Sequence, residues 1–122
     1  MILDGAHNPD GARAAASTLG DFAIGGERIL VVGMNKGRDA VEMLEALDVR
    51  QARGVVATAV DFPRAMPAEE IAEAARSLGV DAEIVRDVPA AVQRAVGLAG
   101  EDDLVLVTGS LYVVGEARQG LH

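Results

Sequence analysis

"LVLVTGSLYVVGEAR", residues 104–118, is the stretch whose reading decides the fold. An apolar run rich in β-branched residues stops at Thr108, turns through Gly109-Ser110 and continues into a second apolar segment. A short run with no polar alternation is what a strand covered on both faces requires, and such strands belong to parallel sheets. Residues 103–109 are the clearest strand of the chain. The segment from Ser110 to about Gln119 reads as a last helix, although Val113-Val114 also suits a strand.

Working outward, the same grammar recurs. "RILVVG" (28–33) and "RGVVATAV" (53–60) are apolar, β-branched strands, and "DAEIVRD" (81–87) holds a shorter one. Between them lie helical spacings. "RDAVEMLEAL" (38–47) aligns Val41, Leu44 and Leu47. "PAEEIAEAARSLG" (67–79) has Pro67 and acids at its start, Ile71, Ala75 and Leu78 on one side, and Gly79 as its stop. From Pro89 to about Ala99 the inward set is Val92, Ala95, Val96 and Ala99. Near the N-terminus, "LDGAHNPDGARAAASTL" (3–19) ends a strand at Leu3, turns, and starts a helix after Pro9 and Asp10. Strand-helix alternation of this kind predicts an α/β, three-layer Rossmann-like domain over 1–122. Its mostly parallel sheet has about five to six strands, with helices on both faces.

Composition narrows the function. The net charge of −8 argues against nucleic-acid binding, which needs a cationic face. Two Phe, one Tyr and no Trp leave no platform for stacked bases. Without Cys there is no disulfide, thiolate ligand or thiol nucleophile. No apolar stretch has the ~20 residues of a membrane span, and no signal peptide is visible, so a cytoplasmic protein is expected.

In a doubly wound sheet, ligands sit at the carboxyl ends of the strands, near the point where strand order reverses. The unusual residues lie there: Asp4 to Asn8, Gly33 to Asp39, Asp61 to Arg64, and Thr108 to Ser110. "DGAHNP" (4–9) offers a carboxylate, an imidazole and an amide beside a helix start whose free N–H groups favour an anion. Read alone, the motif also fits a plainer role, with Asp4 or Asn8 capping the helix and His7 a loop residue.

Together, "DGAHNP", "VVGMNKGRD" (31–39), "RAMPAEEI" (64–71) and "TGSLYVVGEAR" (108–118) resemble the C-terminal domain of the folylpolyglutamate synthase/dihydrofolate synthase family. That family lies within the Mur ligase superfamily of ATP-dependent amide ligases. The resemblance covers essentially the whole chain. It implies ATP, with Mg2+ held mainly by a separate central P-loop domain, and phosphorylation of a dihydropteroate or folate carboxylate. L-glutamate then attacks the acyl phosphate. Carried over by position, Asp4 and Asn8 contact the nucleotide, while His7 and Ser110 contact glutamate. Arg38, Asp39 and Arg64 are further cleft candidates. Where the family reads Asp-Lys-Asp, this chain has Gly37-Arg38-Asp39. Arg38-Asp39 therefore fits a helix-start ion pair better than a ligand contact, and Arg64 also fits a plain loop.

No G-x-x-x-x-G-K-[ST] loop occurs, so the chain is expected to be a domain excised from a larger ligase and inactive alone. The alternative is a stand-alone Rossmann-like binding or regulatory module. A phosphoreceiver suits it poorly, because Lys36, the only lysine, follows the second strand. A dinucleotide-binding unit lacks its G-x-G-x-x-G turn.

Overall fold

Arg28–Val32 (β2) and Leu104–Thr108 (β5) pair in parallel along their whole length, from Arg28 opposite Leu104 to Val32 opposite Thr108. The computed structural model of the chain describes residues 2–3, 11, 13–14, 27–59, 63–100 and 103–108. Around this central pair stand Ile2–Leu3 (β1), Ala52–Ala57 (β3) and Ala82–Ile84 (β4). The sheet order is β1-β5-β2-β3-β4, with every described pairing between strands parallel. Four of these strands have three residues or more, and β1 contributes two at the edge.

Side chains alternate across β2, β3 and β5, and both faces are apolar. Leu30, Val32, Val55, Ala57 and Leu106 point into a core shared with Ala40–Ala46 (α1) and Ala68–Ser77 (α2). Ile29, Val31, Val56, Val105 and Val107 point the other way, against Val88–Leu98 (α3). Burying each such Leu, Ile or Val contributes about 1.5–3 kcal/mol, so two helical layers follow from strands with no polar face. Residues 11, 13 and 14 are helical, within the helix expected after Pro9. The last helix expected from Ser110 lies outside the described residues.

Helix boundaries follow local chemistry. Asp39 and Asp87 cap α1 and α3 by accepting from the backbone N–H of Glu42 and Ala90. At the end of α2, Gly79 N–H donates to Arg76 O and Val80 N–H to Ala75 O, each at 3.0 Å. That double closure needs a left-handed residue, and Gly79 supplies it with φ +82°. One inward assignment is corrected: Val96 is 51% exposed. The buried stripe of α3 is Val88, Ala91, Val92 and Ala95, and Val96 sits about a quarter-turn from its centre.

The amino edge of the sheet is tied by one charged cluster. β2 and β3 slip in register between Arg28 and Ile29, which pair with Ala52 and Gly54 and leave Arg53 between them. Its guanidinium donates to Leu98 O at 3.0 Å and lies 3.5 Å from Glu27 and 3.6 Å from Asp103. Asp103 in turn accepts from the N–H of Gly100 at 2.8 Å and of Glu27 at 2.9 Å. Those two backbone donors, aided by Arg53, hold its carboxyl below the usual carboxylate value. A lowered folded value means stability that is complete above the ordinary pKa of ~3.9 and lost as pH falls through the lowered one. Asp103→Asn is therefore expected to lower the thermal midpoint at pH 7 and to flatten its fall on acidification. A midpoint-versus-pH curve superimposable on the wild type would contradict this account.

Candidate functional site

Beyond the ends of β2, β3 and β5 the chain stays laced for one more step. Gly33 N–H donates to Thr108 O at 3.1 Å, and Thr58 N–H to Val32 O at 2.9 Å. The three carboxyl ends are thereby level. Strand order reverses here, because β2 runs on to β3 on one side while β5 lies on the other. That reversal is the place where the sequence concentrates its unusual residues.

Two loops meet above it. Asn35 forms an antiparallel bridge with Ala65, Lys36 N–H donates to Arg64 O at 2.6 Å, and Met66 N–H donates to Met34 O at 2.8 Å. Met34 and Met66 anchor the loops from below, since both side chains are buried in the core of the α1–α2 face. Gly37 then turns with φ +90° and open space where a side chain would stand. A residue with a Cβ would be strained there whatever room it found. The result is one stitched lip with Lys36, Arg38 and Arg64 exposed on it. Among the described residues none of these three cations forms an ion pair, whereas Arg53, Arg86 and Arg94 all do. A recess of about 190 Å³ lies beside Gly37, Arg38, Asp39, Glu42 and Met43.

Beneath the lip are two fully buried threonines, Thr58 and Thr108. The Thr58 hydroxyl donates to Arg86 O at 2.9 Å. The Thr108 hydroxyl and the Asn35 side-chain oxygen are buried and have no hydrogen-bond partner. A separate recess of about 190 Å³, touching Arg53, Gly54, Asp81 and Leu98, opens at the amino ends of the strands and is not part of this site. Among the described residues no group of three His, Asp or Glu could hold a metal ion.

Of the residues singled out in the sequence, Asp4, His7, Asn8 and Ser110 lie outside the described residues, as does Asp61. Arg38 and Arg64 are brought to the same lip. The expected Arg38–Asp39 ion pair is not formed. Asp39 instead turns its Oδ1 onto the N–H of Glu42 at 3.1 Å, the bond that a helix start offers at closest range. Sequence reading placed Asn35, Lys36 and Thr108 within the unusual stretches at the strand ends but gave none of them a role in the site. Thr108 left the sharper signal, as the one polar residue at the end of an otherwise apolar strand.

Residues 1–111 match the family model described as "Mur ligase, glutamate ligase domain". A Haloferax volcanii protein named "Probable bifunctional folylpolyglutamate synthase/dihydropteroate synthase" is 40% identical over 119 residues, 97% of this chain and 14% of that protein. A crystal structure of the Yersinia pestis bifunctional folylpolyglutamate synthase/dihydrofolate synthase, complexed with AMPPNP and a Mn ion, superimposes with a TM-score of 0.86. Identity is 31%, with 98% of this chain and 28% of that one covered. A further crystal structure of a bifunctional folylpolyglutamate synthase/dihydrofolate synthase, with Mn, AMPPNP and L-glutamate bound, gives a TM-score of 0.86 at 30% identity, covering 98% of this chain and 29% of that one. The chain thus spans well under a third of these relatives.

The cap at Asp39 yields a direct test. Asp39→Ala is expected to cost about 1 kcal/mol of stability in urea unfolding, and Asp39→Asn, which keeps a capping oxygen, only a small part of that. Equal stability of the alanine variant and the wild type would remove Asp39 from the cap.

Proposed function

The chain belongs to the Mur ligase family, as its glutamate ligase domain, and from that premise we propose that it forms one wall of the catalytic cleft of an ATP-dependent ligase. The ligase adds L-glutamate to dihydropteroate, to folates or to both. The single observation that carries this reading is the family match over residues 1–111, which takes in both terminal motifs, "DGAHNP" and the start of "TGSLYVVGEAR". Solved relatives that hold AMPPNP with Mn, and L-glutamate in one case, support ATP, a divalent cation and glutamate as partners. We take the cation to be Mg2+, held by a separate P-loop domain. The whole of 1–122 is then the C-terminal domain of that ligase, its sheet has five to six strands, and the enzyme works in the cytoplasm.

The chemistry fits the carboxyl edge. The γ-phosphoryl group of ATP passes to the substrate carboxylate, giving an acyl phosphate and ADP. The glutamate amine attacks the acyl carbon, phosphate leaves with the C–O electron pair, and the amine loses a proton. Every reactant is anionic. A lip with three cations that form no ion pair among the described residues, together with the helix start that the sequence places after Pro9, suits them better than an apolar pocket would. Within it, Asp4 and Asn8 bind the nucleotide. His7 and Ser110 bind glutamate, and Arg38 and Arg64 supply field rather than fixed contacts. Catalytic phosphoryl transfer requires the P-loop wall, so this chain alone is inactive.

In the full-length ligase, Asp4→Ala is expected to raise KM for ATP and Ser110→Ala to raise KM for glutamate. Each rise is about tenfold or more, the size of one hydrogen bond to a charged group. Steady-state kinetics with each substrate varied in turn measures both. Wild-type constants in both variants would dismantle the site assignment while leaving the family membership intact.

A further inference from the structure

Lys36 and Arg64 face each other across the seam between the two loops. The bridge sets Asn35 opposite Ala65, so Lys36 stands opposite Arg64, and the bond of 2.6 Å from Lys36 N–H to Arg64 O holds them there. Residues directly opposite in an antiparallel pair have Cβ atoms about 4.5–5.5 Å apart on one face, and like charges so placed are destabilising. Both residues are exposed, and among the described residues no acid forms an ion pair with either.

The loops are not free to part and relieve this conflict. Met34 and Met66, on the core side of the seam, are buried and joined by their own backbone bond of 2.8 Å. A third cation, Arg38, follows the left-handed turn at Gly37. Elsewhere the same chain sets cations against acids, Arg53 against Glu27 and Asp103, Arg86 against Glu69 and Arg94 against Glu83. Folding gains nothing from the Lys36–Arg64 juxtaposition, and a bound anion would relieve it. Local conflicts of this kind are expected where function sets the residues.

Topology indicates which anion. The lip follows β2 and β3, on one side of the reversal, while β5 and β1 lie on the other. The residues proposed above for the nucleotide and the incoming glutamate follow β1 and β5 in the sequence. The lip is left to the third reactant, the acceptor whose carboxylate is activated. Dihydropteroate has a single carboxylate, and activation uses it. An acceptor that already bears glutamate keeps at least one more.

We propose that Lys36 binds a spare carboxylate of the acceptor's glutamyl chain, so that the ligase favours acceptors that already carry glutamate over dihydropteroate. Arg64 and Arg38 supply the field around that contact. The proposal rests on the ligase reading given above and selects, within it, the folate-extending reaction.

The test uses the full-length ligase and three acceptors with the same ring system, dihydropteroate and its mono- and diglutamate. In the wild type, KM is expected to fall as carboxylates are added. Lys36→Gln is expected to raise KM for the two glutamylated acceptors about tenfold more than KM for dihydropteroate, the size of one hydrogen bond to a charged group. Lys36→Arg, which keeps the charge, is expected to restore most of that preference. The ligand-free thermal midpoint of Lys36→Gln is expected at or above wild type, because a like-charge contact is removed. An equal rise for all three acceptors, a rise confined to L-glutamate or to ATP, no rise, a lowered midpoint, or a wild-type enzyme that uses dihydropteroate alone would each overturn the proposal and leave the ligase reading in place. A wild-type enzyme that adds L-glutamate to none of the three would instead overturn the reading on which the proposal rests.

Discussion

The parallel pairing of β2 with β5 is the constraint on which the rest depends. Five consecutive partners, from Arg28–Leu104 to Val32–Thr108, fix the two strands at the same height. Strands with one polar face have their register enforced by burial of the other. Here both faces are apolar, so the alternation of volumes against α1 and α2 on one side and α3 on the other does that work. A slip of one residue would not expose a charge, but it would separate Gly33 from Thr108. The level edge that carries both loops would be lost with it.

The two edges of the sheet are built to different standards. At the amino edge every partner is used: Asp103 accepts two backbone N–H groups, and Arg53 closes the cluster through Leu98 O, Glu27 and Asp103. At the carboxyl edge, among the described residues, two buried oxygens have no partner and three exposed cations have no acid. An unmatched buried hydroxyl costs about 1–3 kcal/mol, a large share of the 5–15 kcal/mol that separates folded from unfolded chains. The amino edge and the double core offset that cost. Satisfied and unmatched polar groups are thus divided between opposite ends of the same strands.

The layered fold was legible because its signals are local and redundant. Apolar β-branched runs, Pro67 at a helix start and Gly79 at a helix stop each follow from one residue's own chemistry. Val96 was misread because α3 is apolar on more than one side, so helical spacing alone admits two stripes. The capping role of Asp39 was not read from the sequence, which offered an ion pair with Arg38 instead, and nearest-neighbour geometry decides for the cap. Nothing in the sequence announces the Asn35–Ala65 bridge, since it joins two loops through backbone atoms that every residue carries. The displaced Arg53 is hidden for the same reason, because a register slip belongs to the pair of strands and not to either one.

That bridge also resolves an electrostatic conflict. A chain with a net charge of −8 repels anions when seen from afar. At physiological ionic strength, however, charges more than about 8 Å away are largely screened, so a ligand at the edge responds to its immediate surroundings. The backbone bonds between Lys36 and Arg64 bring cations from two separate loops into one such neighbourhood, and the turn at Gly37 adds Arg38. Of the acids, Glu69 is paired with Arg86 and Glu83 with Arg94, and the Asp39 carboxylate is turned onto its helix cap. An acidic domain can in this way present a cationic lip without a cationic composition.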